Sequence, residues 1–151
     1  MSALIVISAV GSGLVGGVWF AFSGFVMQAL ARLPSAQGAA AMQAINVTAV
    51  RPPLMIAMFG TAAVCVATAV VALTGDGEAT GWIVAGAALY LLGSVGVTIV
   101  ANVPLNDALM RVPPEDAGEL WSHYLDRWTA WNTVRGVTAV PAAAAFAVAL
   151  I

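Results

Sequence analysis

Lysine is absent from the 151 residues, and arginine occurs only five times. With seven acidic residues the charged share is 8% and the net charge −2, where soluble domains carry about 25% charged residues. So few charges cannot cover the surface of a water-soluble domain, and they form no basic patch that would hold nucleic acid. Cysteine and histidine each occur once. Cys65, in the apolar run Ala63-Val64-Cys65-Val66, has no partner for an internal disulfide and no electropositive setting to activate it. It reads as a small core residue. One imidazole and one remote thiol do not make a zinc, copper or bis-histidine haem site within one chain. No metal site is therefore expected, although a metal shared between subunits stays open. The chain also lacks Cys-x-x-Cys, Gly-x-Ser-x-Gly and any phosphate-binding loop.

What is abundant is apolar sequence: 62% of the residues are hydrophobic. A helix needs roughly 20 apolar residues to cross a ~30 Å hydrocarbon core. Four segments qualify, at about Ala3 to Leu30, Pro52 to Leu73, Trp82 to Ala101 and Asn132 to Ile151. The expected fold is all-α: one integral-membrane domain over residues 1–151, a four-helix bundle with a short amphipathic helix before the last span. Met1-Ser2 lacks the positive region of a cleavable signal, so the first segment is expected to remain as a span. The apolar sequence runs to Ile151, so no soluble C-terminal domain is expected.

Gly13 and Gly17 form a GxxxG, and Ser12 and Gly16 repeat the small-xxx-small spacing one step over. Such spacing favours close helix approach and leaves room for a homo-oligomer. Pro52-Pro53 suits a first helical turn, Thr74-Gly75-Asp76-Gly77-Glu78 is a tight turn, and Pro141 is expected to kink the last span. Residues 31–51 hold a short helix, Ala39 to Val50. In 102–131, Pro113-Pro114 followed by Glu115, Asp116 and Glu119 marks a helix start. From there Leu120, Trp121, Tyr124, Trp128 and Trp131 fall within about 50° of one direction at 100° per residue, an amphipathic helix.

Both long connections fall on one side with all the arginines (Arg32, Arg51, Arg111, Arg127 and, just inside the last span, Arg135). The opposite side offers Asp76, Glu78 and the termini. The positive-inside rule then places the long connections in the cytoplasm and both termini outside, in a multi-pass protein of the cell membrane. The sequon Asn46-Val47-Thr48 would face the cytoplasm and reads as chance.

Polar residues gather at this cytoplasmic end. In Asn102-Val103-Pro104-Leu105-Asn106-Asp107 the two asparagines are one helical turn apart; spacing alone equally describes a capped helix terminus stopped by proline. In Trp121 to Arg135, helical geometry stacks Tyr124, Trp128, Trp131 and Arg135 on one stripe with Asn132 at its edge. This could be an interfacial aromatic belt with a snorkelling arginine. It also suits a flat aromatic anion, the rings stacked and the guanidinium on the negative oxygen. His123, flanked by Glu119 and Arg127 one turn away, reads as a solvated residue or a proton carrier.

Four stretches carry a family resemblance: Gly17-Val18-Trp19-Phe20-Ala21-Phe22-Ser23-Gly24-Phe25-Val26-Met27, Ala41-Met42-Gln43-Ala44-Ile45-Asn46, Asn102-Val103-Pro104-Leu105-Asn106 and Trp128-Thr129-Ala130-Trp131-Asn132-Thr133-Val134-Arg135. With them the chain resembles the DUF1772, or anthrone oxygenase-like, family of small four-span membrane proteins. The resemblance implies oxidation of a polyketide anthrone-like aromatic to a quinone by molecular oxygen, without an organic cofactor. By position, Asn46, Asn102, Asn106, Trp128, Trp131, Asn132 and Arg135 match the family pattern. It implies a site in which Arg135 and Asn132 hold a developing oxyanion, Trp128, Trp131 and Tyr124 sandwich the rings, and Asp107 or His123 is the base. Arg51 would line the same mouth. The expected partners are the lipid bilayer and a hydrophobic aromatic molecule. The alternative is a non-catalytic membrane binding or assembly subunit whose Trp-Asn-Arg cluster packs helices or contacts lipid. A small transporter ranks below both, since no mid-bilayer charge marks a path.

Overall fold

The computed structural model describes residues 1–75 and 77–151, and among these it is all-helical. Five helices account for nearly all of it: α1 (Ser2–Leu30), α2 (Ser35–Ala49), α3 (Pro52–Leu73), α4 (Thr80–Met110) and α5 (Gly118–Val148). The four long ones form a closed square in which α1 packs on α3 and α5, and α4 packs on α3 and α5. The short α2 lies across one end, held where Gln43 Nε2 donates to the carbonyls of Leu109 and Val112 at 2.8 and 2.9 Å.

Local sequence explains the starts and stops. Arg51 is extended (φ −75°, ψ 159°), as a residue before proline must be, and Pro52-Pro53 opens α3. The turn after Leu73 joins α3 to α4 as antiparallel neighbours; Asp76 within it lies outside the described residues. Pro114–Asp116 forms one 3₁₀ turn before α5 begins at Gly118. The predicted amphipathic helix and last span are thus one continuous helix of 31 residues, which runs through Pro141 unbroken.

Helices α1, α3 and α4 are each long and apolar enough to cross a membrane, and large apolar side chains such as Leu14, Phe20, Ile56, Leu92 and Val100 point outward. This is a membrane protein. Helix α5 is not among the three, because Asn132, Arg135 and Pro141 lower its hydropathy. Asn132 and Arg135 are buried against the other helices, so the inner face of α5 carries what its outer face could not.

Close packing uses a different face of α1 from the one GxxxG suggests. Gly17 has open space around it, whereas a Cβ on Gly16 would lie 3.2 to 3.4 Å from Val140 and Ala139. Ser8, Ser12 and Gly16 are the buried small residues: Gly16 lets α1 approach α5, while Ser8 pairs with Thr68 of α3 at 3.1 Å. Cys65 is fully buried in the same core, as its apolar neighbours predict.

Three of the long helices widen into π-helical turns: Phe22–Val26 in α1, Ile56–Gly60 in α3, and Leu89–Gly96 and Thr98–Asn102 in α4. The last has a local cause. Pro104 has no N–H for the Val100 carbonyl and its ring would clash there, so the helix opens one turn earlier. The proline predicts a stop near Ala101, but α4 continues to Met110. All these turns supply side chains to one region, where two apolar clusters meet. One contains Val15, Trp19, Met58 and Tyr90, and the other Met27, Met42, Tyr124 and Trp128.

Candidate active site

The buried residues of α5 step by three or four along its whole length: Trp121, Tyr124, Trp128, Asn132, Arg135, Ala139, Ala142. That spacing places aromatic rings, an amide and a guanidinium on one inward stripe. Asn132 is at its centre and Trp131 is off it, 37% exposed. The stripe expected through Trp131 is thereby corrected: α1 packs over Asn132, and Trp131 turns to the outer surface.

Arg135 is only 3% exposed. Its guanidinium carbon sits 3.8 Å from the centroid of the Trp19 ring and 5.2 Å from that of Trp128, a cation–π pair of contacts. Nη2 donates to Asn132 Oδ1 at 2.6 Å and Nη1 to Thr98 Oγ1 at 3.1 Å. Asn132 Nδ2 in turn donates to the Trp19 carbonyl and to Ser23 Oγ, both at 2.7 Å. Trp19 Nε1 donates to Ser94 Oγ at 2.9 Å, and the Thr98 hydroxyl donates to the Ser94 carbonyl at 2.8 Å. One polar network therefore ties α1, α4 and α5 together at the level of the π turns. Every group of Asn132 is used within it, so Asn132 positions Arg135 and has no donor left for a ligand.

A second network lies one turn away. Asn106 Oδ1 accepts from Tyr124 Oη at 2.7 Å and from Trp128 Nε1 at 2.8 Å. An indole N–H can only donate, which fixes the Asn106 amide with its oxygen toward α5. Asn102 Nδ2 donates to the Trp128 carbonyl at 3.2 Å. Both asparagines sit within a continuing helix and face α5; neither caps a helix end. Tyr124 stacks on Trp121 and on Trp128, at centroid distances of 5.7 and 6.1 Å. Its ring extends the aromatic wall, and its hydroxyl serves as a donor to Asn106.

Beside these networks is a cavity of about 170 Å³. Its polar lining is Asn46, Thr98, Asn106 and Arg135; Trp19 and Trp128 flank Arg135, and Met58 and Phe59 are among the apolar walls. Asn46 Nδ2 and Arg135 Nε are buried without a hydrogen-bond partner, and both residues line the cavity. Asn102 Oδ1 is also unpartnered but Asn102 is not part of the lining. A shallower groove of about 560 Å³ adjoins the cavity, sharing Phe22, Ile45, Ala49 and Leu54, and Arg51 lies on it.

One protein family, described as anthrone oxygenase, matches residues 53–146 of this chain. The chain belongs to the anthrone oxygenase family. No curated protein and no solved structure matches it. The matched region holds Asn102, Asn106, Trp128, Asn132 and Arg135, while Trp19 and Asn46, which complete the cavity, precede it.

Of the residues the sequence nominated, the structure brings Asn46, Asn106, Trp128 and Arg135 to the cavity and Tyr124, Asn102 and Asn132 directly behind it. Arg51 is at the groove and exposed. Asp107 and His123 are exposed and line neither space. Each is one residue from an inward neighbour, Asn106 or Tyr124, which turns it about 100° to the outside of its helix. No cluster of metal-ligating side chains occurs among the described residues. Sequence reasoning missed the roles of Trp19, Ser23, Ser94 and Thr98. The signal for the last two was available: two hydroxyl residues one turn apart in an otherwise apolar span.

Proposed function

We propose that this protein is an integral-membrane oxygenase of the anthrone type. It would convert the CH₂ of a hydrophobic aromatic, anthrone-like substrate to a carbonyl with one O₂, releasing one water and needing no organic cofactor. The observation that supports this most is the cavity at Arg135: a buried guanidinium over the Trp19 ring, its Nε without a partner, on a residue that lines a mostly apolar space in a member of this family. Removal of one benzylic proton gives an electron-rich oxyanion that can pass an electron to oxygen, and preorganised N–H donors stabilise such an anion. An engineered cavity of about 150 Å³ holds one benzene ring. A three-ring substrate would therefore place its reacting end in the cavity and extend past Ile45 and Leu54 into the groove. In the membrane, all four long helices would span, with the arginine-bearing connections cytoplasmic.

The alternative reading, a non-catalytic membrane subunit, is favoured by one observation. Asn132 and two nitrogens of Arg135 are fully engaged in tying three helices together, which a purely structural lock would also do. Purified protein supplied with a simple anthrone, followed by oxygen uptake and anthraquinone absorbance, separates the two. Oxygen consumed in step with quinone supports the oxygenase. Rates equal to those of empty detergent micelles support the structural subunit. Metal analysis of the same sample tests the absence of a metal cofactor.

A further inference from the structure

Arg135 is a buried cation whose side-chain partners are a hydroxyl, an amide oxygen and two indole rings. No carboxylate pairs with it among the described residues. An uncompensated buried charge is expensive, and proteins normally place a counter-charge beside it. The space beside it is the cavity, and among its lining residues the fully buried side-chain atoms left unpaired are both N–H donors: Asn46 Nδ2 and Arg135 Nε. The lining includes no aspartate, glutamate or histidine that could take a proton from a bound molecule.

We propose that this cavity is an oxyanion site that takes its aromatic ligand already ionised, as a phenolate or enolate. The ligand's O–H bond breaks outside, the proton goes to water at the groove, and the negative oxygen then lies against Asn46 Nδ2 and the Arg135 guanidinium. The ligand supplies the counter-charge that the fold omits. This rests on the cavity being the ligand site but not on any oxygen chemistry. It also assigns no proton-transfer task to Asp107 or His123.

The test is equilibrium binding of 4-nitrophenol to the purified full chain in a neutral maltoside detergent, with 4-nitroanisole as the neutral control. The expected result is a phenolate absorption band from bound probe at pH values where free probe is protonated. The apparent pKa of the bound probe falls by about one unit, which is tenfold tighter binding of anion than of phenol. Neutral micelles alone disfavour the anion and shift the probe the other way, so detergent cannot mimic the effect. Asn46→Leu should reduce the preference about three- to tenfold by removing one donor, and Arg135→Met should abolish it. Should Arg135→Met not fold, the wild-type preference and the Asn46→Leu variant decide alone. Equal binding of 4-nitroanisole, absence of phenolate binding, or a preference unchanged in Asn46→Leu would each overturn the proposal. Turnover of an anthrone by a protein that binds neutral probe equally well would sink this inference and leave the oxygenase reading standing.

Discussion

The Arg135 guanidinium sits over the Trp19 ring, its central carbon 3.8 Å from the ring centroid, although the two residues belong to the last and first long helices. The contact locates the site on the bundle interface: α5 supplies the charge, α1 the ring that receives it and α4 the hydroxyl that orients it. Trp19 also donates to Ser94 and offers its carbonyl to Asn132, so one residue anchors α1 to both α4 and α5.

Replacing Trp19 is therefore expected to be costly. Trp19→Ala should destabilise by about 3–5 kcal/mol, the range for deleting a large buried aromatic. Trp19→Phe keeps a ring under Arg135 and loses the N–H to Ser94, about 1 kcal/mol, together with part of the buried ring, so it should be the milder of the two changes. Thermal melting of purified protein in one detergent reads the difference. Equal melting temperatures for Trp19→Ala and the parent would refute the contact's importance.

Asn132 and Trp131 are adjacent and should behave as opposites. Asn132→Ala removes a partner from the Trp19 carbonyl and from Arg135 Nη2, each costing about 1–3 kcal/mol where burial is complete, while the Ser23 hydroxyl keeps Thr133 at 2.9 Å. Trp131→Leu alters an outward-facing ring and should leave both melting and turnover close to wild type, turnover within about twofold. A severe Trp131→Leu defect with normal Asn132→Ala behaviour would reverse the assignment.

How much of this was legible in the sequence can be judged from these neighbours. Periodicity of 100° per residue located the inward face of α5 and placed Tyr124, Trp128 and Arg135 on it. It could not choose between Trp131 and Asn132, which differ by one step. What decided was the opposing helix, because Trp19 and Ser23 offer two acceptors that the two N–H groups of one amide meet together. The π turns in α1, α3 and α4 each shift the register of the helix beyond them, and no simple repeat predicts them. Pro104 was readable as a disturbance, but whether it would end a helix or widen it depended on Asn102 and Asn106 finding partners on α5. Helices α1, α3 and α4 were legible because apolar length alone dictates them, whereas the polar stripe of α5 hid how far that helix extends before Asn132; the shared end of the long connections followed from their order.

Asp107→Asn and His123→Ala should each leave turnover within about twofold of wild type, since both side chains are exposed and outside the cavity. Steady-state rates in detergent are sufficient to test it. A loss of about tenfold or more in either variant would mean that the side chain reaches the substrate in the working state.

The α1–α5 contact offers a stability test independent of the site. Gly16→Leu forces a side chain against Val140 and Ala139 and should destabilise by about 1–3 kcal/mol through overpacking. Gly17→Leu points into open space and should leave melting unchanged. The reverse order would indicate that α1 meets α5 through its GxxxG face, with Gly17 inward.

Arg135 decides the assignment of the site. Lysine keeps the charge but cannot stack flat on Trp19 while forking to Thr98 and Asn132. Oxygen uptake and anthraquinone formation from a simple anthrone should therefore fall at least about a hundredfold in Arg135→Lys, the scale of losing one transition-state donor, with the helical fold retained by circular dichroism. Undiminished turnover in a folded Arg135→Lys protein would contradict a catalytic role for this cavity.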